Sequence, residues 1–155
     1  MLQRAELTKY FKSTLFIPQL KSKTKDAVLK ELLDLFVQVK YIRNRDLVLE
    51  MLHQREKLGS TGIGKNVAIP HGRTTATSDV IVAFGRSEQG IDFDAIDKKP
   101  VHLFFMVIAP PHDEGNVYLP ILGSLVTVLN LKKNRDKLLK VNTFEEFIEV
   151  ITGES

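Results

Sequence analysis

The sequence predicts an α/β fold in which a small mixed β-sheet is sandwiched between two helical layers. Segments with apolar residues at helical spacing alternate along the chain with short, continuously apolar segments, which are typical of buried strands. The chain has 155 residues, of which 43% are apolar, and this size suits one packed core. No internal repeat, low-complexity tract or linker divides the sequence, so residues 1–155 are expected to form a single domain.

The first elements are predicted to be a short helix over residues 6–11 and a strand over residues 15–17. Pro18 ends this strand. Proline cannot donate to the hydrogen-bond ladder of a sheet, so the strand is expected at an edge.

Two longer helices should follow. Thr24 can cap the first, which reaches about residue 39, and Asn44 can cap the second. Arg55 lies one turn beyond Met51, which places it near the C-terminal end of the second helix. The apolar stripes predicted to be buried are Val28, Leu29, Leu32, Leu33, Phe36 and Val37 in the first helix, and Leu47, Val48, Met51 and Leu52 in the second.

Three further strands are predicted over residues 67–69, 80–84 and 101–109. Their continuous apolar runs are typical of central strands that are covered on both faces. Residues 90–100 form a turn-rich connection, and two prolines after residue 109 stop the last strand.

The C-terminal part should be helical. One helix is predicted over residues 118–131, where Pro120 is tolerated only in the first turn, and a shorter one extends to about residue 140. Thr143 and Glu146 form a capping box for the last helix, and Gly153 supplies its C-cap.

The composition excludes several classes of protein. There is no cysteine, so disulfide scaffolds, thiolate metal sites and thiol catalysis are ruled out. The net charge of +3 is modest, and its lysines fit helix flanks better than a nucleic-acid surface. The N-terminus lacks the apolar core of a signal peptide, and no apolar run approaches the ~20 residues of a membrane span. A cytoplasmic protein without membrane insertion is expected, and no metal or cofactor is predicted.

A glycine-rich segment over residues 59–66 invites comparison with nucleotide-binding loops. It matches the phosphate-loop pattern except at Asn66, where a serine or threonine would hold magnesium. A phosphate loop also joins a strand to a helix, whereas this segment should join a helix to a strand. The dinucleotide motif fails because Val67 occupies the place of its third glycine. The segment is therefore predicted to be a tight turn in which Gly62 and Gly64 supply left-handed backbone.

The same segment has the composition of an anion site. Its glycines leave backbone N–H groups open, Ser60 and Thr61 add hydroxyl groups, and Arg55 and Arg73 stand at its two ends. His71, set between a proline and a glycine, could present its imidazole to an anion held there. A neutral imidazole is a competent nucleophile near pH 7. The residue types alone also fit an ordinary polar histidine in a loop.

The segment over residues 55–72 resembles the active-site signature of enzyme IIA of the phosphotransferase system, fructose/mannitol type, and within it the nitrogen-related branch. The resemblance is carried by Arg-Glu-Lys at 55–57, Ser-Thr-Gly-Ile-Gly at 60–64 and Val-Ala-Ile-Pro-His-Gly at 67–72, and residues 91–97 and 100–101 extend it. It covers nearly the whole chain. It implies a mixed sheet flanked by helices, phosphotransferase activity through a phosphohistidine, and HPr or a similar phosphocarrier as the phosphoryl donor.

The resemblance also implies roles for particular residues. His71 would be the phosphorylated nucleophile, and Arg55 would stabilise the phosphoryl charge. The phosphate position would be lined by Ser60, Thr61 and Gly62.

At one position the sequence departs from this family. A second histidine commonly begins the helix after the third main strand, where this sequence has Tyr118. Tyrosine keeps a hydroxyl donor, but its pKa of about 10 means that it cannot supply a titrating cation. Phosphoryl affinity, transfer rate or phosphohistidine lifetime is expected to differ for this reason. Which imidazole nitrogen of His71 is phosphorylated depends on the hydrogen bond that holds the other one.

The other histidines have ordinary interpretations. His53 is expected to be a surface or packing residue, and His102 to face outward or pack at the end of its strand. His112 is the alternative candidate to replace the family's second histidine. Its acidic neighbours lack the partner ligands of a metal site.

Three classes of function remain. The first is a transferase that carries a phosphoryl group on His71. The second, compatible with it, is a phosphorylation-gated regulator, favoured because no enzyme IIB or membrane segment is fused to the sequence; a sugar-specific enzyme IIA that passes phosphate to an enzyme IIB is the alternative. The third is a binding module that is not phosphorylated, which Tyr118 makes conceivable. The sequence names no downstream partner, sugar or oligomeric state.

Overall fold

The computed structural model describes residues 2–153. Within this range lie six α-helices, one 3₁₀-helix at Thr8–Tyr10 and six β-strands. The helices are α1 (Arg4–Leu7), α2 (Lys25–Gln38), α3 (Arg45–Lys57), α4 (Tyr118–Leu129), α5 (Lys132–Leu138) and α6 (Phe144–Thr152). The strands are β1 (Phe11–Ile17), β2 (Gly62–Gly64), β3 (Val67–Ala68), β4 (His71–Arg73), β5 (Ile81–Ile91) and β6 (Val101–Ala109).

All six strands join one mixed sheet, with β6 at its centre. One edge of β6 pairs antiparallel with β5, and its other edge pairs parallel with β3 and then with β4. β1 lies parallel to β5 at one end of the sheet, and β2 lies antiparallel to β3 at the other. The predicted mixed sheet and the edge position of β1 are confirmed. The fold places His71 opposite Val107, near the carboxyl end of β6.

The sheet separates two hydrophobic cores. On one face α1, α4, α5 and α6 cover a cluster that includes Phe84, Phe105 and Phe147. On the other face α2 and α3 cover a cluster that includes Phe36 and Phe104. The prediction of a sheet between helical layers is therefore confirmed. None of the helices in the part of the chain that the structure describes is long and apolar enough to cross a membrane.

The helix ends follow the predicted capping residues. The side chain of Thr24 accepts a hydrogen bond from the N–H of Ala27, and Asn44 caps α3 in the same way. Thr143 and Glu146 form the capping box of α6, which ends at a left-handed glycine, Gly153. These caps satisfy backbone groups that would otherwise lack partners at the helix ends.

Several predicted boundaries and exposures were wrong. Phe11 begins β1 instead of ending the first helix, because its ring packs edge-on against Phe147 in the core. Leu47 is 42% exposed, since α3 turns Val48 and Leu52 towards the sheet. The strand predicted over residues 80–84 continues to Ile91.

Two short strands, β2 and β4, were not predicted. β2 and β3 form a hairpin whose turn residues, Lys65 and Asn66, both have positive φ. This is the backbone of a tight two-residue hairpin turn. Gly64 has left-handed backbone as predicted, but Gly62 does not; a Cβ on Gly62 would lie 2.8 Å from the Cβ of Ala95. Close approach to Ala95 is therefore what requires glycine at this position.

Candidate functional site

His71 begins β4, immediately after the proline that follows β3. Its neighbour Gly72 allows α3 to pack directly on this strand, because a Cβ on Gly72 would lie 2.0 Å from the sulfur of Met51. The contact brings the last turn of α3, and with it Arg55, to the same place as His71. The predicted proximity of Arg55 and His71 thus has a packing cause.

The imidazole of His71 is half-buried and held by one backbone group. Its Nδ1 lies 2.5 Å from the carbonyl oxygen of Ile69, and a carbonyl only accepts, so Nδ1 carries the proton and donates. Nε2 makes no hydrogen bond to any residue between 2 and 153. Burial lowers the pKa of His71, and the positive charge of Arg55 lowers it further, while the Ile69 hydrogen bond and the charge of Glu56 act in the opposite direction. The neutral form is therefore favoured near pH 7.

Arg55 lies in the last turn of α3. Its Nη1 donates to the carbonyl oxygen of Gly59 at 2.8 Å, which folds the side chain back along the loop after the helix. The guanidinium acts electrostatically on both His71 and Tyr118. Arg55 is thus the cation that the two candidate site residues share.

The hydroxyl groups of Ser60 and Thr61 are engaged within the loop. Ser60 Oγ donates to the carbonyl oxygen of Phe93 at 2.7 Å and accepts from the N–H of Gly62 at 3.0 Å. Thr61 is buried and donates both its hydroxyl, at 2.5 Å, and its N–H, at 3.0 Å, to the carboxylate of Glu56. Contacts of Ser60, Thr61 and Gly62 with a phosphate stay a prediction. Their observed partners shape the loop beneath Arg55.

Tyr118 is buried at the first position of α4, with its ring centroid 6.4 Å from that of His71. The guanidinium carbon of Arg73 lies 4.5 Å from the centroid of the Tyr118 ring, a cation–π contact. Burial raises the pKa of Tyr118 to about 12, although Arg73 and Arg55 both oppose the rise. Tyr118 therefore carries its proton throughout the physiological range and can donate a hydrogen bond.

Asp113 was not predicted to contribute to this site. Its carboxylate accepts the N–H groups of Val117 at 2.8 Å and Tyr118 at 3.0 Å, and it lies 3.9 Å from Arg73. The side chain is 6% exposed. Asp113 fixes the start of α4 and hence Tyr118. The sequence gives no clear signal for this role, because Asp113 lies four residues before Val117, the residue at the N-cap of α4.

The remaining histidines lie elsewhere. His53 is paired with Asp26 on α2 through a contact of 2.7 Å, which agrees with its predicted surface role. His102 is half-buried and contacts the carbonyl oxygen of Ser87 through Nδ1. His112 is exposed in the loop before α4. The residue of α4 that contacts His71 is instead Tyr118.

The arrangement joins an available imidazole nitrogen with two guanidinium groups and one neutral hydroxyl. Such a group can hold a tetrahedral oxyanion next to a nucleophile. Residues 9–154 match the family described as phosphoenolpyruvate-dependent sugar phosphotransferase system, EIIA 2. The chain belongs to this enzyme IIA family, whose members are phosphotransfer components.

Relatives from two branches of the family resemble the chain. A fructose-specific EIIA component of Haloferax volcanii is 40% identical over 128 residues, which cover 83% of this chain and 82% of the relative. A nitrogen regulatory protein of Bradyrhizobium diazoefficiens is 39% identical over 113 residues, covering 73% and 72%. The crystal structure of the nitrogen regulatory protein IIA-Ntr of Neisseria meningitidis matches with a TM-score of 0.86 and 31% identity, covering 95% of this chain and 99% of that one. The family prediction is confirmed, and both branches are represented.

Proposed function

We propose that the protein is a phosphohistidine carrier of the phosphotransferase system that accepts a phosphoryl group on Nε2 of His71 from an HPr-like phosphocarrier. The observation that carries the proposal is the hydrogen bond from Nδ1 to the carbonyl of Ile69. It assigns the ring proton to Nδ1 and leaves the lone pair of Nε2 available for attack.

In the proposed step the Nε2 lone pair attacks phosphorus and forms the N–P bond. The bond from phosphorus to the donor breaks, and the donor atom keeps that electron pair. No proton needs to move, since Nδ1 keeps its own. The ring gains positive charge as the bond forms, and the Ile69 carbonyl that accepts from Nδ1 stabilises this charge. The reverse sequence passes the phosphoryl group to the next acceptor.

Two side chains flank the proposed phosphoryl position. Arg55 supplies positive charge to the phosphoryl oxygens, and the neutral hydroxyl of Tyr118 supplies a hydrogen-bond donor in place of the family's second histidine. The hydrogen bonds of Ser60 and Thr61, together with Gly62, indicate a structural role: they hold the loop whose Gly59 carbonyl accepts from Arg55. Direct contact of these three residues with phosphate has less support, because the hydroxyl groups of Ser60 and Thr61 already have partners.

The downstream role is proposed to be mainly regulatory, with the phosphorylation state of His71 controlling which proteins bind. The nitrogen regulatory relatives and the IIA-Ntr structure support this role. The 40% identical fructose-specific relative supports the alternative, transfer of the phosphoryl group to an enzyme IIB during sugar uptake. A binding module that is never phosphorylated is the remaining possibility, and it predicts no transfer at all.

Intact-protein mass spectrometry tests the carrier function directly. The protein is incubated with phosphoenolpyruvate, enzyme I and the phosphocarrier, and kept at neutral to alkaline pH. We expect one acid-labile phosphoryl group on the wild type and on His112→Ala, a matched control at an exposed histidine, and none on His71→Ala. An unmodified wild type, tested with a carrier from its own organism, would refute the carrier function and leave the binding module.

A second assay separates the two carrier roles. Phosphorylated protein is mixed with a fructose-type enzyme IIB, and the phosphoryl group is followed. Rapid transfer to enzyme IIB would assign the protein to sugar uptake. Retention of the group on His71 is the result expected of a regulator.

A further inference from the structure

Glu56 is a buried acid next to the proposed phosphoryl site that the chemistry above does not use. Its side chain is 7% exposed and follows Arg55 in the last turn of α3. Its two oxygens accept the N–H and the hydroxyl of Thr61, and Oε1 also lies 3.0 Å from Nζ of Lys25. These two donors and this cation compensate the burial of the carboxylate.

Lys25 reaches Glu56 from a different element, since it is the first residue of α2. Its side chain is 22% exposed, and Nζ lies 4.6 Å from the ring centroid of Phe93. The carbonyl of Phe93 in turn accepts the hydroxyl of Ser60. Lys25 is therefore held against the same loop that Glu56 anchors, residues 58–62.

The charge of Glu56 matters because this residue is next to Arg55 at the end of α3 and anchors the loop to which Arg55 also donates. Arg55 lowers the pKa of His71, and Glu56 raises it. Arg55 donates its hydrogen bond to the neutral carbonyl of Gly59, and the cation that pairs with Glu56 is Lys25. Without a cation of its own, Glu56 would offset the positive field of its neighbour at the nucleophile.

We propose that Lys25 and Glu56 form a positioning ion pair that orders the loop of residues 58–62 and offsets part of the charge of Glu56, which leaves more of the charge of Arg55 available to a phosphoryl group on His71. The inference rests on the proposed carrier function of His71. Lys25 acts on the site through Glu56, from the opposite side of the loop. The ion pair thus sets how much positive charge the phosphoryl group meets.

Two single variants test the charge balance in opposite directions. Lys25→Met leaves the carboxylate without its cation, and Glu56→Gln removes the negative charge but keeps an oxygen acceptor for Thr61. We expect Lys25→Met to raise the pKa of His71 and Glu56→Gln to lower it, as measured by NMR titration of the unphosphorylated protein. The other charged or titratable groups around His71 and the ion pair are unchanged in both variants: Arg55 on α3, Arg73 on β4, Tyr118 on α4 and the exposed Asp94, whose Oδ2 lies 3.9 Å from Nζ of Lys25.

Phosphorylation supplies the functional measurement. Lys25→Met should lower the equilibrium constant for phosphorylation by the phosphocarrier about tenfold, the effect of one unbalanced charge in a partly solvated site. Glu56→Gln should not lower this constant. The double variant Lys25→Met/Glu56→Gln should return both the pKa of His71 and the equilibrium constant towards the wild type, because it removes both charges. Lys23→Met, at an exposed lysine nearby, is the matched control.

The outcomes distinguish the ion pair from simple loop packing. The proposal is overturned if both single variants move the pKa of His71 in one direction, if neither moves it, or if the double variant stays as defective as Lys25→Met. Should Lys25→Met fail to fold, Lys25→Gln carries the same expectations. The titration needs no phosphate, so a wild type that is never phosphorylated would contradict the carrier function, while the pKa values would still decide the balance of charge.

Discussion

The two sides of His71 are built in different ways. On the α3 side, groups close together in the chain hold one another: Arg55 donates to Gly59, and Thr61 donates to Glu56. On the α4 side, Arg73 from β4 stacks on Tyr118, a residue that comes much later in the chain. One side is a local loop and the other is a tertiary contact. Substitutions on the two sides should therefore have different effects on phosphoryl transfer and on stability.

The chemistry of the two sides differs as well. The α3 side presents a guanidinium whose neighbouring acid already has a cation. The α4 side presents a neutral phenol, because burial raises the pKa of Tyr118 to about 12. We therefore expect the α3 side to control charge stabilisation and the α4 side to control geometry. The changes below test this division, beginning with the largest expected effect.

Arg55→Met should slow phosphoryl transfer to His71 about 100-fold, since removing one preorganised donor from a developing oxyanion typically costs this much. The thermal stability should change little, because the side chain makes one hydrogen bond to Gly59. Rapid-quench measurement of the transfer rate checks the effect. Arg45→Met is the matched control, at the other end of α3 and paired with Asp34. Equal rates for the two variants would remove Arg55 from the site.

The helix end that carries Arg55 could be predicted from the sequence, whereas the partners of Thr61 and Tyr118 could not. Arg55 was placed near its helix end by spacing alone, and Thr24 and Asn44 were found as caps because a cap involves only the next few residues. β2 and β4 escaped prediction because three residues are too short to show a period. Resemblance assigned Tyr118 to the position of the family's second histidine, but its stacking with Arg73 depends on where β4 joins the sheet.

The hydroxyl groups of Ser60 and Thr61 also have partners that the sequence did not predict. Their residue types suggested hydroxyl groups facing a phosphate, yet the hydroxyl of Ser60 reaches the carbonyl of Phe93, which belongs to a distant segment. Asp113 was also missed, because its carboxylate matters through Arg73 and through the start of α4. Residue type predicts what a side chain can do, and packing decides which partner it meets.

Asp113→Ala should damage the α4 side by releasing the start of the helix. The carboxylate accepts two backbone N–H groups, so its loss should lower the free energy of unfolding by about 1 kcal/mol, the usual effect of losing a cap. Transfer to His71 should slow roughly tenfold because Tyr118 is no longer held in place. Chemical denaturation and transfer kinetics measure the two effects. Glu114→Ala, at an exposed neighbour, should change neither.

Tyr118→Phe should have a smaller effect, because it keeps the ring that Arg73 stacks on and removes only the hydroxyl. The transfer rate should fall about threefold, as expected for one hydrogen bond of ordinary net strength. The apparent affinity for the phosphocarrier should not change. Tyr10→Phe serves as the control, at a half-buried tyrosine on the other end of the chain. A loss as large as that of Arg55→Met would show that the α4 side carries charge stabilisation after all.

The pH dependence of the free energy of unfolding should distinguish His71 from Tyr118 on the α4 side, because their pKa values are shifted in opposite directions. The pKa of His71 is lowered in the folded protein, so its contribution to stability is present above the ordinary value of about 6.5 and is lost as the pH falls below it. The pKa of Tyr118 is raised from 10.0 to about 12, so its contribution is present below pH 10.0 and is lost as the pH rises from there.

Denaturation of the wild type, His71→Gln and Tyr118→Phe across the pH range tests both signs. Relative to the wild type, His71→Gln should gain stability only on the acid side and Tyr118→Phe only on the alkaline side. Each difference should appear only in the pH range where its group titrates, below about pH 6.5 for His71 and above pH 10.0 for Tyr118. If His71→Gln were instead less stable than the wild type by a growing margin as the pH falls, the folded protein would be stabilising the imidazolium, and the neutral nucleophile inferred from the burial of His71 would be wrong.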